Sequence, residues 1–121
     1  LELIEAEGYD MPLWFRRVAG HEDERCRHCF TLRLEAAARA ARERGCDAFT
    51  STLLISPHQD HELLRAIGEE VAAAAGVAFL YADLRKRYSD SRHLTKPLDL
   101  YRQQYCGCLY SEWERFGDSD R

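Results

Sequence analysis

Four of the five cysteines fall into two close pairs, Cys26-x-x-Cys29 and Cys106-x-Cys108, and this spacing is the strongest chemical signal in the chain. Residues three apart on a helix have β-carbons roughly 5–6 Å apart, so Cys26 and Cys29 can both reach one metal. A helix start, with Arg25, Arg27 and His28 alongside, favours the thiolate, the form that ligates and attacks. In the second pair, Gly107 is the residue best able to take the backbone angles of a very small ring. A disulfide closed there would be strained and easily reduced. The pair therefore suits electron transfer better than structural stapling, with metal ligation by both sulfurs as the alternative. Spacing alone leaves four readings open: a four-cysteine zinc site, an iron–sulfur centre, a dithiol redox protein, or unrelated buried thiols. Cys46 stands alone beside Gly45 and reads as a small buried hydrophobe.

The elements that must position these thiols are legible from periodicity. After Gly20 the chain reads as a helix, with Phe30, Leu34, Ala37, Ala38 and Ala41 at spacings of three and four and a stop at Gly45. Ala48 to Thr52 reads as a short strand, and Leu53 to Gln59 as a loop broken by Pro57. From Asp60 to Ala75, Leu63, Leu64, Ile67, Val71 and Ala74 share a helical face, with acids in the first turn and Gly76 beyond the end. Val77 to Tyr81 follows as a buried strand ending at Asp83. Strand, helix and strand make a parallel, right-handed crossover, so the fold class is α/β. Ligands of such sheets collect beyond the carboxyl ends of the strands, where Ser51 to Pro57 and Asp83 to Arg87 fall. The tail is read as a helix from Ser89 to Lys96 ended near Pro97, a turn at Leu100 to Gln104, an irregular turn at Cys106 to Cys108 and a short helix from Ser111 to Arg115.

With 121 residues, 45% hydrophobic and 31% charged, the chain has the make-up of one globular domain. Disorder, collagen-like repeats and a membrane-spanning run are excluded by composition, and the acidic start offers no secretion signal. The first residue is leucine and the only methionine is Met11, so a processed, trimmed or partial sequence is expected. The net charge of −4 argues against a protein that coats nucleic acid through its overall field. Charge is nevertheless segregated. Arg85 to Arg102 holds six basic residues against Asp90 and Asp99, and Arg16 to Arg44 holds eight arginines against five acids. A locally positive face suits a partner presenting a few phosphates.

Three runs, Arg25-Cys26-Arg27-His28-Cys29-Phe30-Thr31-Leu32-Arg33-Leu34, then Phe49-Thr50-Ser51-Thr52-Leu53-Leu54-Ile55-Ser56-Pro57, then Tyr101-Arg102-Gln103-Gln104-Tyr105-Cys106-Gly107-Cys108, occur in an order that resembles the QueH family of epoxyqueuosine reductases. The resemblance extends from about Glu7 to Arg115. It implies a HUP/Rossmann-like three-layer domain with a parallel sheet, of which this chain is the C-terminal two-thirds, lacking the N-terminal strand-helix unit. It implies a cytoplasmic enzyme that removes the epoxide oxygen of epoxyqueuosine in the tRNA anticodon loop by two-electron reduction, drawing on an external electron donor. It also implies a 4Fe-4S cluster ligated by Cys26 and Cys29, a redox-active pair at Cys106 and Cys108, and an additional iron. The family's remaining two ligands are an adjacent Cys-Cys pair; this sequence has none, and they are expected upstream of Leu1.

An epoxide opens more readily if its oxygen meets a Lewis acid or proton donor as electrons arrive. Asp83, ending a strand, and Tyr105, beside the redox pair, are the candidate donors. Arg85, Lys86, Arg102 and Gln103 are candidate contacts to anticodon-loop phosphates or bases, and Tyr101 or Tyr105 can stack on an exposed base. Ser51, Thr52 and Ser56 lie on the loop at the ligand edge of the sheet. His58 and His61 bracket a helix start and read as surface or capping residues. Against the reductase stand a zinc-stabilised binding module without turnover and a thiol–disulfide oxidoreductase using Cys106 and Cys108 alone.

Overall fold

Two long helices carry most of the core. The computed structural model describes residues 3–4, 11–57 and 59–117; His58 lies outside them. The short helix α1 (Met11–Val18) precedes α2 (Arg25–Glu43), strand β1 (Ala48–Phe49), α3 (His61–Ala75), strand β2 (Ala78–Phe79), α4 (Tyr88–Thr95) and α5 (Leu109–Phe116). Single 3-10 turns occupy Glu22–Glu24, Thr52–Ile55, Arg85–Arg87 and Lys96–Leu98. No described helix is long and apolar enough to cross a membrane.

In α2 the expected stripe is the buried one: Phe30, Leu34, Ala38 and Ala41. It meets Leu64, Ile67, Val71 and Ala72 of α3 in a single cluster, and complete burial of a leucine or isoleucine contributes about 1.5–3 kcal/mol. Ala72 takes the inward place expected of Ala74, which is exposed. Asp60 caps α3, its Oδ1 accepting from Leu63 N at 3.1 Å, and Gly76 ends it in the left-handed conformation.

The end of α2 corrects one expectation. Gly45 N bonds Arg42 O at 3.2 Å and Cys46 N bonds Ala41 O at 2.8 Å, the paired closure of a Schellman turn. That turn carries Cys46 outward, so its thiol is exposed rather than buried.

β1 and β2 pair in parallel, Ala48 with Ala78 and Phe49 with Phe79, across the α3 crossover. Both strands are shorter than the five residues read from sequence, and the described residues form a two-stranded sheet. The ladder stops because the Thr50 hydroxyl, not a backbone amide, donates to Leu80 O at 2.7 Å. Gly68 lets α3 lie directly on β2, since a Cβ there would overlap the Phe79 ring.

The loops after the two strands meet as expected: Leu84 N donates to Leu54 O at 3.2 Å. Downstream, Asp99 adopts φ 50 and reverses the chain. Residues 100–104 form no regular element, in place of the turn expected, and Arg102 reaches back to the hydroxyls of Ser91 and Thr95, both at 2.9 Å. Helix α5 then returns across α1 and α2. Tyr110 faces Trp14 with ring centroids 6.1 Å apart, and Arg25 pairs with Glu114 at 2.6 Å.

Candidate active site

The docking of α5 brings the two cysteine pairs together. Cys26 and Cys29 lie in the first turns of α2, and Cys108 is the N-cap of α5. Cys108 Sγ accepts from Ser111 N at 3.3 Å, while Ser111 Oγ accepts from Cys106 N at 2.8 Å. This reciprocal cap fixes both ends of the Cys-Gly-Cys turn. Gly107 has φ 115, and Gln103 Nε2 crosses the turn to Tyr105 O at 2.9 Å. All five cysteines are free thiols.

Burial pushes the Cys26 thiol up; Arg25 opposes the shift, while Cys106, Cys108 and Cys29 add to it. The expectation that α2 would favour thiolate at Cys26 is thus reversed: burial among other sulfurs outweighs one arginine. The convergence is real but not tight. Among the described residues no group of three cysteines is placed to hold one metal ion.

Arg25 bridges the two pairs. Its guanidinium lies over Tyr110 at 5.5 Å and is tied to Glu114, in the field of Cys26 and Cys108. Its Nε is buried with no acceptor, an unsatisfied donor at the edge of the thiol cluster.

A cavity of about 320 Å³ opens beside Cys106. Thr52, Ser56, Tyr101, Arg102, Gln103 and Tyr105 line it, so seven sequence-derived candidates meet there, with Leu53, Gln59 and Tyr88 completing the wall. Tyr101 is 81% exposed, presenting a ring at the mouth. Arg102, Gln103 and Tyr88 also border a larger groove of about 900 Å³ whose other walls include Arg92, His93, Lys96 and Arg115. Three cations of the basic run, Arg92, Lys96 and Arg102, therefore line a groove adjoining the thiol cavity.

Besides Cys26, Cys29 and Cys108, four candidates fall outside this cavity. Ser51 caps the 3-10 turn, its Oγ accepting from Leu53 N at 3.2 Å. Arg85 is turned onto Asp83 through two bonds of 2.9 and 2.6 Å, and Lys86 is exposed next to it. The same fork corrects Asp83 as a proton donor: hydrogen bonds from Arg85 hold its carboxyl far below the usual range, so it is ionised at neutral pH. Burial pushes the Tyr105 hydroxyl up, with Glu112 and Tyr101 adding to the effect. Of the two candidates, Tyr105 keeps a proton to give.

Two polar residues at the site had no functional signal in sequence. Gln59, 8% exposed, donates from Nε2 to Cys106 Sγ at 3.4 Å. His61, expected at the surface, is 5% exposed. Its Nε2 donates to Ser56 O at 3.2 Å, and Nδ1 meets the Tyr81 hydroxyl at 3.4 Å. His61, at the start of α3, thereby ties that helix to the residue just past the Thr52–Ile55 turn. Only the place of Gln59 and His61 just after Pro57 hinted at their burial.

Comparison with known proteins identifies the family. The family model described as Epoxyqueuosine reductase QueH matches residues 1–114. The protein of that name from Dehalococcoides mccartyi is 57% identical over 116 residues, covering 96% of this chain and 64% of the relative. The Thermotoga maritima protein is 37% identical over 109 residues, covering 84% and 57%, and the Streptococcus pyogenes protein 36% over 118 residues, covering 92% and 46%. The chain thus spans less than two thirds of the length of these relatives. With this match across nearly its whole length, the chain belongs to the epoxyqueuosine reductase QueH family.

Proposed function

We propose that this chain carries the thiol and substrate-contacting parts of a cytoplasmic reductase that converts epoxyqueuosine to queuosine in the anticodon loop of tRNA. The observation that carries this reading is Cys106 in the wall of a cavity shared with Tyr101 and Tyr105, next to a basic groove. Such a groove binds phosphates, and exposed aromatic rings hold unstacked bases.

Removing an epoxide oxygen to leave a carbon–carbon double bond breaks both C–O bonds, consumes two electrons and two protons, and releases one water. A Cys106–Cys108 dithiol passing to its disulfide releases two electrons and two protons, so atoms and electrons balance. An external two-electron donor then restores the dithiol. Tyr105 holds its proton at neutral pH and sits beside Cys106, which suits it to protonate the departing oxygen. Arg102, anchored through Ser91 and Thr95, keeps its positive charge between cavity and groove, where a phosphate would rest.

The residues present fit a thiolate-held inorganic cluster. The donors are soft sulfurs, and the buried Arg25 Nε lacks an acceptor that a cluster sulfur would provide. Cys26 and Cys29 would hold a 4Fe-4S cluster, with further ligands from elsewhere in the protein and an additional iron nearby; bound there, it supplies electron transfer and Lewis acidity. The two-stranded parallel unit with its crossover helix is read as part of a HUP/Rossmann-like three-layer domain.

The test is single-turnover reaction of the anaerobically purified full-length protein with tRNA bearing epoxyqueuosine, read by mass spectrometry of nucleosides. Cys106→Ser and Cys108→Ser are expected to abolish queuosine formation, in a brown protein containing iron and labile sulfide. Colourless protein with one tight zinc and no turnover would overturn the reading. Turnover that survives Cys26→Ala would instead identify a thiol–disulfide enzyme.

A further inference from the structure

We propose that His21, Glu24 and His28 form a surface site for a divalent first-row transition-metal ion, with zinc the best fit, separate from the sulfur pocket. One ligand atom from each residue lies within 4.8 Å of the other two, and this is the one such group among the described residues. The two imidazole rings face each other at 4.8 Å between centroids, tilted by 38°.

The backbone sets this convergence. Glu24 N bonds His21 O at 2.9 Å and His21 N bonds Val18 O at 2.8 Å, while Gly20 N is held by Glu22 Oε1 at 3.2 Å. These bonds fold the 3-10 turn back on α2. Both His21 and Glu24 occupy N-cap positions, yet neither side chain makes a capping hydrogen bond. An N-cap side chain ordinarily satisfies a free amide of the first turn; here the two are left to point at a common partner. Two imidazoles and one carboxylate are borderline ligands that suit zinc and its neighbours, with water completing the shell.

The site stands apart from the cysteines. At 3.6 residues per turn, His28 and the Cys26–Cys29 pair diverge by about 130° around α2, so neither site borrows a ligand from the other. A bound ion would instead pin the Glu22–Glu24 turn to the first turns of α2 and brace the helix start that bears Arg25 and Cys26. It does not depend on the reductase reading.

The experiment is zinc binding to the full-length protein in competition with a chromophoric chelator, with cobalt spectra as a second readout. All three side chains are exposed or half-buried, so their removal leaves the core intact. His21→Ala and His28→Ala are each expected to weaken one zinc equivalent at least about tenfold, the lower end of what altering even an outer shell costs. Cys26→Ser and Cys29→Ser should leave that equivalent in place, and His93→Ala should have no effect. Cobalt bound there should show d–d absorption without sulfur-to-metal charge transfer. Unchanged stoichiometry and affinity in both histidine variants, or cobalt bound through thiolates alone, would overturn the site.

Discussion

Gln59 holds Cys106. The buried amide donates from Nε2 to Sγ at 3.4 Å, and Oε1 lies 3.7 Å from the same sulfur, within reach of the thiol S–H. The two residues are 47 positions apart, and their meeting aligns the start of α3 with the Cys-Gly-Cys turn. Gln59→Leu removes both contacts to the Cys106 sulfur. Stability should fall by about 1 kcal/mol, the worth of one lost bond. Urea denaturation of the two proteins measures it.

Docking of α5 rests on Arg25. Glu114 is 59% exposed and solvent screens the pair, so Glu114→Gln should cost no more than about 1 kcal/mol. Arg25→Met also removes the contact with the Tyr110 ring, a further ~0.5–1 kcal/mol. Urea denaturation of both single variants and the double variant separates the two contributions. Additive losses would show that Arg25 and Glu114 do not act together.

At Gly107 backbone and space both exclude a side chain. Alanine there must hold φ near 115, and its Cβ would approach Gln103 Nε2 to 2.9 Å. Gly107→Ala should lower stability by about 1–3 kcal/mol. In a Gln103→Ala background the crowding disappears and the backbone strain stays, so the loss should shrink without vanishing. Equilibrium unfolding of the four proteins completes the cycle.

The raised Cys26 thiol has a consequence for pH. Its ordinary value is 9.0 and burial moves it higher in the folded chain. Above pH 9 the unfolded chain ionises this thiol while the folded chain resists. The stability it contributes is therefore complete below pH 9 and lost as pH climbs through the folded value. Urea midpoints of the metal-free protein should fall more steeply between pH 8.5 and 10.5, from roughly half a unit below that ordinary value to one and a half above it, than those of Cys26→Ser. Parallel curves would remove Cys26 as the cause.

Arg102 sits between neutral hydroxyls, so its charge is not cancelled by an acid. Arg102→Ala should weaken binding to all tRNAs alike and reduce the slope of log affinity against log salt by about 1. Fluorescence anisotropy across a salt series tests this. Loss confined to one tRNA would point instead to base recognition.

The sequence by itself determined what depends on neighbours within a few residues. The buried stripe of α2, the Asp60 cap and Gly76 end of α3, the parallel crossover and the helical placement of Cys26 and Cys29 all follow from spacing and capping chemistry. Helix α1 escaped because eight residues form a helix only when packing supports them, and Val18 supplies that packing. Tertiary structure alone decided the rest. Arg25 meets Glu114 across 89 positions, Gln59 reaches Cys106, His61 is buried and Cys46 is not. The first three depend on how α5 and the Thr52–Ile55 turn settle against the helix pair and the last on the turn that closes α2, and burial and long-range pairing are properties of packed surfaces that no local window of residues contains.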